Sequence, residues 1–463
     1  MHVAGTVRIE TDQVGRREIP ADARYGVHAL RAAENFARPR AQLLRDVPEF
    51  CQALGMVKLA AQRANLRAGS LEAATADAIG AAAEDLIADR HHLRADLIVP
   101  LVQGGAGTST NMNVNEVLAN RALELLGHGA GDYQHCHPND HVNRSQSTND
   151  VYPTAVRVAL LLRSSAVERA ATGLEQELRT VARRNDETLK LGRTQLQDAV
   201  AMSVGEEFDA WADAVASARA ALMSQRESLL EVNLGGTAIG NGLTASAAYR
   251  RLVVPLLGEI TGLPMSGPTR HISATTDTSA LLGYSAALRG LAIALAKVAN
   301  DLRLLSSGPS GGLAELKLPP VQGGSSMMPG KVNPVIAEFV NQLAFRIRGS
   351  DSAVAAALDA GQLQLNAMLP LVASELLNSQ EDLRCAMDTL RARCISGIVV
   401  DRQRTADLAQ HDLGELSSIA ALKGYALATR AATSSRDAGR HVRSAARDDL
   451  VQLGRARHID QEH

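Results

Sequence analysis

The chain has 463 residues, 46% of them hydrophobic but only 3% aromatic, with a formal net charge of −2. That length and apolar content call for a large packed core spread over more than one domain, and near-neutral charge without a basic block argues against nucleic acid or an anionic membrane surface as a partner. Cys51, Cys136, Cys385 and Cys394 are too few and scattered for a disulfide framework and read as free thiols in a reducing cytoplasm. Neither a signal peptide nor an apolar run long enough to span a bilayer is expected.

In chain order, residues 1–142 mix short segments such as Arg8-Ile9-Glu10 with turns and helices, and a polar stretch runs from Gly129 to Asn143. From about residue 150 to 400 the periodicity predicts helix almost throughout. Val167, Leu174, Leu178 and Val181 form an apolar stripe that stops at Asn185-Asp186. Leu281, Leu288, Leu295 and Leu302 repeat every seven residues, interleaved with Tyr284, Leu291, Val298 and Leu305 at the same interval. That is the a/d seam of a long coiled-coil-like helix. Several such seams predict a bundle, and helices this long commonly pack against copies of themselves, so the 281–305 seam is the expected core of an oligomer. Beyond residue 400 the pattern shortens and charge rises, which reads as a small helical C-terminal domain with a frayed end at Gly454–His463. The expected division is therefore 1–142, 143–400 and 401–463. No internal repeat of a solenoid type is evident.

The chemistry-bearing segment is Gly323-Gly324-Ser325-Ser326-Met327-Met328-Pro329-Gly330-Lys331-Val332-Asn333-Pro334. Its glycines allow a backbone to bend close to a ligand and a loop to close. Asn333 and Pro334 read as the N-cap and first residue of a helix, continued by Ile336, Val340, Leu343 and Ile347 on one face. A lysine at a helix N-terminus suits an anion. The segment is not a P-loop, because Ser325 stands where the first Gly belongs and Val332 follows the lysine. Three more segments crowd hydroxyls and amides: Gly104 to Asn113, Ser145 to Asp150, and Gly192 to Asp198. Each taken alone serves equally well as helix capping or as ligand contact. His135, Cys136, His137 and His141 have a spacing that fits no standard zinc signature, and no metal is expected there.

The glycine-rich segment resembles the GSSxMPxKxNP signature of the aspartase/fumarase superfamily, with every fixed position filled from Gly324 to Pro334. The resemblance runs from Arg8 to about Asp401 and implies a mainly α, three-domain fold with a long central helical bundle that tetramerises. Gly105–Ser109 is similar to the GAGTS of the aspartase branch, Ser145–Asp150 to its SQSTND, and Gly192–Val200 to its GRTxLQDAV. Gln195 stands where fumarases carry His.

What the resemblance implies is reversible anti elimination of ammonia from L-aspartate to give fumarate, through an aci-carboxylate intermediate and with no cofactor. Ser325 looks like the general base, a role in which a free hydroxyl needs its anion stabilised; the loop amides around Gly323–Ser326 and the Lys331 charge are the candidates. Lys331, Asn333, Thr194 and Gln195 resemble the α-carboxylate side, while Thr108, Ser147, Thr148 and Ser326 resemble the β-carboxylate pocket. Asn149 is similar to the residue that meets the leaving amino group, and Met328 lines the closed site. The His137–Asn143 segment resembles a secondary anion-binding segment of the superfamily, although a structural loop is the leading reading. Partners are then the small molecules L-aspartate, fumarate and ammonia, in a cytoplasmic homotetramer whose sites are shared between subunits.

Pro100, Ala201, Ser310 and Leu369 depart from the aspartase pattern, and Ala420–Tyr425 lacks its NPxIGY run. These departures keep two alternatives open: a paralogous lyase releasing fumarate from a hydroxy or N-substituted succinate, as a fumarase does from the former, and an inactive helical scaffold.

Overall fold

The computed structural model describes residues 6–437; the expected frayed end at Gly454–His463 lies outside the described residues. Contacts divide the chain into two compact units interleaved along the sequence. The first comprises the described residues of Met1–Glu168, Ala220–Leu291 and Phe345–Leu383, and the second those of Arg169–Arg219, Ala292–Ala344 and Arg384–His463.

The first unit opens on an antiparallel hairpin, β1 (Val7–Asp12) and β2 (Gly15–Pro20), in register from Val7↔Pro20 to Asp12↔Gly15. The Asp12 carboxylate accepts from the amides of Val14 and Gly15, which fixes the turn that Gly15 makes at φ +127°. Helices α1 (Val27–Asn35), α2 (Pro48–Arg67), α3 (Ala73–Ile87) and α4 (Thr108–Leu125) follow. Pro48 begins α2, where its missing N–H is no loss. Phe50, Leu54, Val57 and Ala61 then lie on one face and are fully buried, with α2 packed on α3. The Phe50 ring meets Tyr152 edge-on at 5.5 Å.

Tyr152 belongs to α5 (Thr148–Arg184), a 37-residue helix that ends where Asn185-Asp186 predicted. The stripe Val167, Leu174, Leu178 and Val181 is buried. Next comes a departure from the all-helical expectation. Residues 189–203 form an antiparallel hairpin, β3 (Leu189–Thr194) and β4 (Gln197–Ser203), around a two-residue turn at Gln195-Leu196. Both turn residues have positive φ, 54° and 61°. Such a turn normally signals itself with Asn-Gly or Asp-Gly, and here the signal is missing.

The remaining helices are α6 (Val204–Glu227), α7 (Ala247–Thr261), α8 (His271–Thr276) and α9 (Ser279–Leu305). After the two-residue strand β5 (Leu316–Lys317) come α10 (Val335–Asp359) and α11 (Leu369–Arg393). Strand β6 (Val399–Val400) pairs with β5 before α12 (Arg402–Ala409), α13 (Gly414–Lys423) and α14 (Tyr425–Asp437). Within the second unit α12 packs on β3.

The eight seam residues of α9 are between 0% and 5% exposed in the single chain. They are filled by the chain's own side chains, so they are not the face an identical copy would cover. A heptad pattern specifies that a partner exists but not which chain supplies it. By length and composition alone, Ser279–Leu305 could cross a bilayer, contrary to the expectation that no run is long enough. The buried heptad stripe is that of a bundle helix.

Candidate active site

In the second unit the glycine-rich loop joins β5 to α10. The Ser325 hydroxyl oxygen accepts hydrogen bonds from the Met327 and Met328 amides, at 3.2 and 2.8 Å. Two backbone N–H groups on one oxygen stabilise its anion. The donors differ from those expected: they lie just after Ser326 in place of Gly323–Ser326. Asn333 donates its side-chain amide to the Gly324 carbonyl at 2.6 Å. The first α10 bond runs from the Glu338 amide to the Pro334 carbonyl, so Pro334, and not Asn333, occupies the N-cap position. Asn333 is committed to closing the loop.

Gly324, Ser325, Met328 and Lys331 line a cleft of about 470 Å³. Lys331 and Asn333 also line a second of about 590 Å³, together with Arg303 and Lys317. Ser326, Met328 and Lys331 are exposed, and Ser325 is half-buried. No ion pair engages Lys331 among the described residues, which leaves its ammonium available to an anion.

Thr194 and Gln195 stand at the exposed tip of the β3–β4 hairpin in the same unit. The hairpin is anchored at its base. Arg193 pairs with Glu315 at 2.6 Å, and Lys190 pairs with Glu315 at 3.2 Å and Glu207 at 2.6 Å. Glu315 is 1% exposed and immediately precedes β5. One buried carboxylate thus ties the strand carrying Thr194 to the strand that leads into the loop. Burial pushes the Glu207 carboxyl above its usual range, opposed by the adjacent Lys190 charge.

The first unit brings together the other four expected residues. Thr108 opens α4 and Thr148 opens α5. The two helix starts are adjacent, because a Cβ on Gly107 would overlap the Tyr152 ring. Thr108, Ser147, Thr148 and Asn149 are half-buried, whereas Ser109, Thr110, Gln146 and Asp150 beside them are buried. Ser147 and Asp150 cap α5 reciprocally: the Ser147 oxygen accepts from the Asn149 amide, and the Ser147 amide donates to Asp150. Asn149 donates its side-chain N–H to the Ala238 carbonyl at 2.8 Å. A carbonyl can only accept, so Nδ2 faces Ala238 and Oδ1 faces away. Among the described residues no donor reaches that oxygen.

Two buried ionisable groups support this patch, and the sequence reading assigned neither a role. The Lys58 ammonium donates to Asn111, Asn143 and Gln146 at 2.7, 3.1 and 2.9 Å. It joins the α4 face below Thr108 to the segment just before Ser147. Burial pushes Lys58 down to about 7, partly offset by the Asp150 charge. Asp150 is likewise pushed up to about 6 by burial, against the backbone amides that hold its charged form. Lys58 was visible in the sequence as a lone cation amid Val57, Leu59 and Ala60. Its partners, more than fifty positions away, were not.

His137 and His141 make local hydrogen bonds to the backbone around them. His137 Nδ1 accepts from the amides of Asn139 and Asp140, and the His137 amide donates to His141 Nδ1, around a π turn at Pro138–Val142. Among the described residues no three His, Cys, Asp or Glu side chains converge as metal ligands.

The Lyase family matches residues 15–349. The aspartate ammonia-lyase of Pseudomonas canavaninivorans is 46% identical over 450 residues, 97% of this chain and 94% of that protein. The fumarate lyase:delta crystallin of Brucella melitensis, crystallised bound to cobalt, superposes with a TM-score of 0.92 at 45% identity over 96% of each chain. A class II fumarase from Schistosoma mansoni reaches the same TM-score at 30% identity, over 96% of this chain and 95% of that one.

Proposed function

Because the chain belongs to the lyase family, we propose that it is an aspartate ammonia-lyase, eliminating ammonia from L-aspartate reversibly to give fumarate. The identity to a curated aspartate ammonia-lyase over nearly the whole chain supports this reading, as does the lower identity to a fumarase. The observation that carries the chemistry is the pair of amides on the Ser325 oxygen.

In this mechanism Ser325, as the alkoxide, removes a proton from the carbon next to the β-carboxylate. The electron pair moves into that carboxylate, and the doubly charged aci-carboxylate is held by Thr108, Ser147, Thr148 and Ser326. The pair then returns to form the double bond as the carbon–nitrogen bond breaks. Asn149 Oδ1 accepts from the departing amino group. Lys331, Thr194 and Gln195 hold the α-carboxylate; Asn333 adds its second side-chain N–H while the first keeps the loop closed. The β-carboxylate is itself the electron sink, so the reaction calls for no cofactor. Loop closure over the cleft would exclude water and strengthen these interactions.

The two sets of residues stand in separate units, and a homotetramer that shares each site among three subunits is part of the proposal. So are a cytoplasmic location and the division into domains at 1–142, 143–400 and 401–463. Ultraviolet absorbance of fumarate formed from L-aspartate, from L-malate and without substrate tests the reading. Fumarate from aspartate alone is the expected result; fumarate from malate alone would assign a fumarase, and from neither, a paralogous lyase acting on an N-substituted succinate or the inactive scaffold.

A further inference from the structure

Asp150 is fully buried, and its two carboxylate oxygens are divided between two tasks. Oδ1 accepts from the Ser147 amide at 3.0 Å and so completes the cap of α5. Oδ2 accepts from the Gly235 and Thr237 amides at 3.0 and 2.9 Å. These two donors flank Gly236, in a turn where Gly235 has φ +90° and Thr237 φ +56°. Positive φ at a threonine is costly and persists only where the surroundings enforce it. The Asp150 carboxylate accepts the amides of both positive-φ residues of this turn. The residue after that turn is Ala238, whose carbonyl takes the Asn149 Nδ2. From the other side Asn233 donates to the Asn149 carbonyl at 3.0 Å, and to Thr275 at 3.2 Å.

An asparagine amide is nearly symmetric in shape, and only its hydrogen-bond partners decide which end points where. If the Ala238 carbonyl moved away, Asn149 could flip and present N–H in place of oxygen. A flipped amide repels an ammonium and welcomes a hydroxyl oxygen.

We infer that Asp150 is a positioning residue for amine selectivity: by pinning Gly235–Thr237 it holds the Ala238 carbonyl on Asn149 Nδ2 and keeps Asn149 Oδ1 aimed at the departing ammonium. The inference rests on the aspartate reading above. It adds a distinct claim, that discrimination of nitrogen from oxygen is enforced by a residue that never touches substrate.

Asp150→Asn keeps the shape but places an N–H against backbone N–H donors. Asn233→Ala removes the second brace and leaves Asp150 intact, so it decides the matter if the first variant fails to fold. Both are assayed as assembled protein, with ammonium as the varied substrate in the fumarate-amination direction and with L-aspartate against L-malate in elimination. The expected result is a rise in the KM for ammonium of about tenfold in Asp150→Asn, the scale of one lost hydrogen bond to a charged group. A smaller rise is expected in Asn233→Ala, and a reduced preference for aspartate over malate in both. A purely structural role would lower the melting temperature and the active fraction but leave the ammonium KM and the preference unchanged. That outcome, in a wild-type protein that does deaminate aspartate, overturns the inference. A wild-type protein inactive on aspartate overturns the functional reading instead.

Discussion

Asn333 donates its side-chain amide to the Gly324 carbonyl at 2.6 Å, closing the glycine-rich loop across nine positions. The same loop turns the Met327 and Met328 amides onto the Ser325 oxygen. Both features are internal to the loop, so its own backbone and Asn333 hold the donors that would stabilise a serine alkoxide.

The closed loop depends on Gly324. A Cβ there would overlap the carbonyl of Lys331, a backbone atom that cannot swing aside. Gly324→Ala should therefore displace one arm of the loop and lower kcat/KM for L-aspartate by at least about a hundredfold, on the scale of a small misplacement of reacting groups. The melting temperature should hardly change, because this loop contributes little to the buried core. Steady-state kinetics alongside a thermal melt test both parts; wild-type activity would show that the loop opens during turnover.

Ser325 and Lys331 should fail in different ways. Ser325→Ala removes the proposed base, and kcat should drop by about 10²–10⁴ with fold and assembly intact. Lys331→Ala removes a cation facing a carboxylate, a loss of about 1.5–3 kcal/mol that should appear mainly in KM. Retained turnover in the first variant, or unchanged aspartate KM in the second, would reassign that residue.

Glu116 gives the fold a pH dependence. Its carboxylate accepts from the amides of Gly26, His28 and Ala29 at 2.9, 2.8 and 3.0 Å, at the start of α1. Burial outweighs those donors and raises the group from 4.5 to about 7. Between those values the folded chain holds a proton that the unfolded chain has released. Stability from this group is thus fully present below pH 4.5 and is lost as pH rises through about 7, by about 3 kcal/mol at most. Denaturant titrations of wild type and Glu116→Gln across that window should show a shallower decline in the variant. Parallel slopes would remove Glu116 as the cause.

Periodicity and local chemistry were legible in the sequence. The α9 heptads, the end of α5 at Asn185 and the turn-rich loop before α10 all follow from residue type and spacing. The 189–203 hairpin was not legible, because Gln195-Leu196 takes positive φ without the glycine or asparagine that normally announces it. Its conformation is held by tertiary ion pairs, Arg193 and Lys190 on Glu315, whose partners lie more than a hundred positions apart. The α9 heptads specify a buried stripe but not that the chain's own side chains fill it. The proposed site residues were readable as polar segments and by resemblance. Their supports, Lys58 and Asp150, became visible only once distant segments met.

The measurement that bears most directly on the account is the ratio of kcat/KM for L-aspartate to that for L-malate. Asn149 Oδ1 has no donor of its own among the described residues, and a site built to accept hydrogen bonds from an ammonium should reject a hydroxyl that leaves acceptors unpaired. The account predicts a preference for aspartate on the order of 10⁴ or more, matched by fumarate adding ammonia far faster than water. Comparable turnover of aspartate and malate would contradict it.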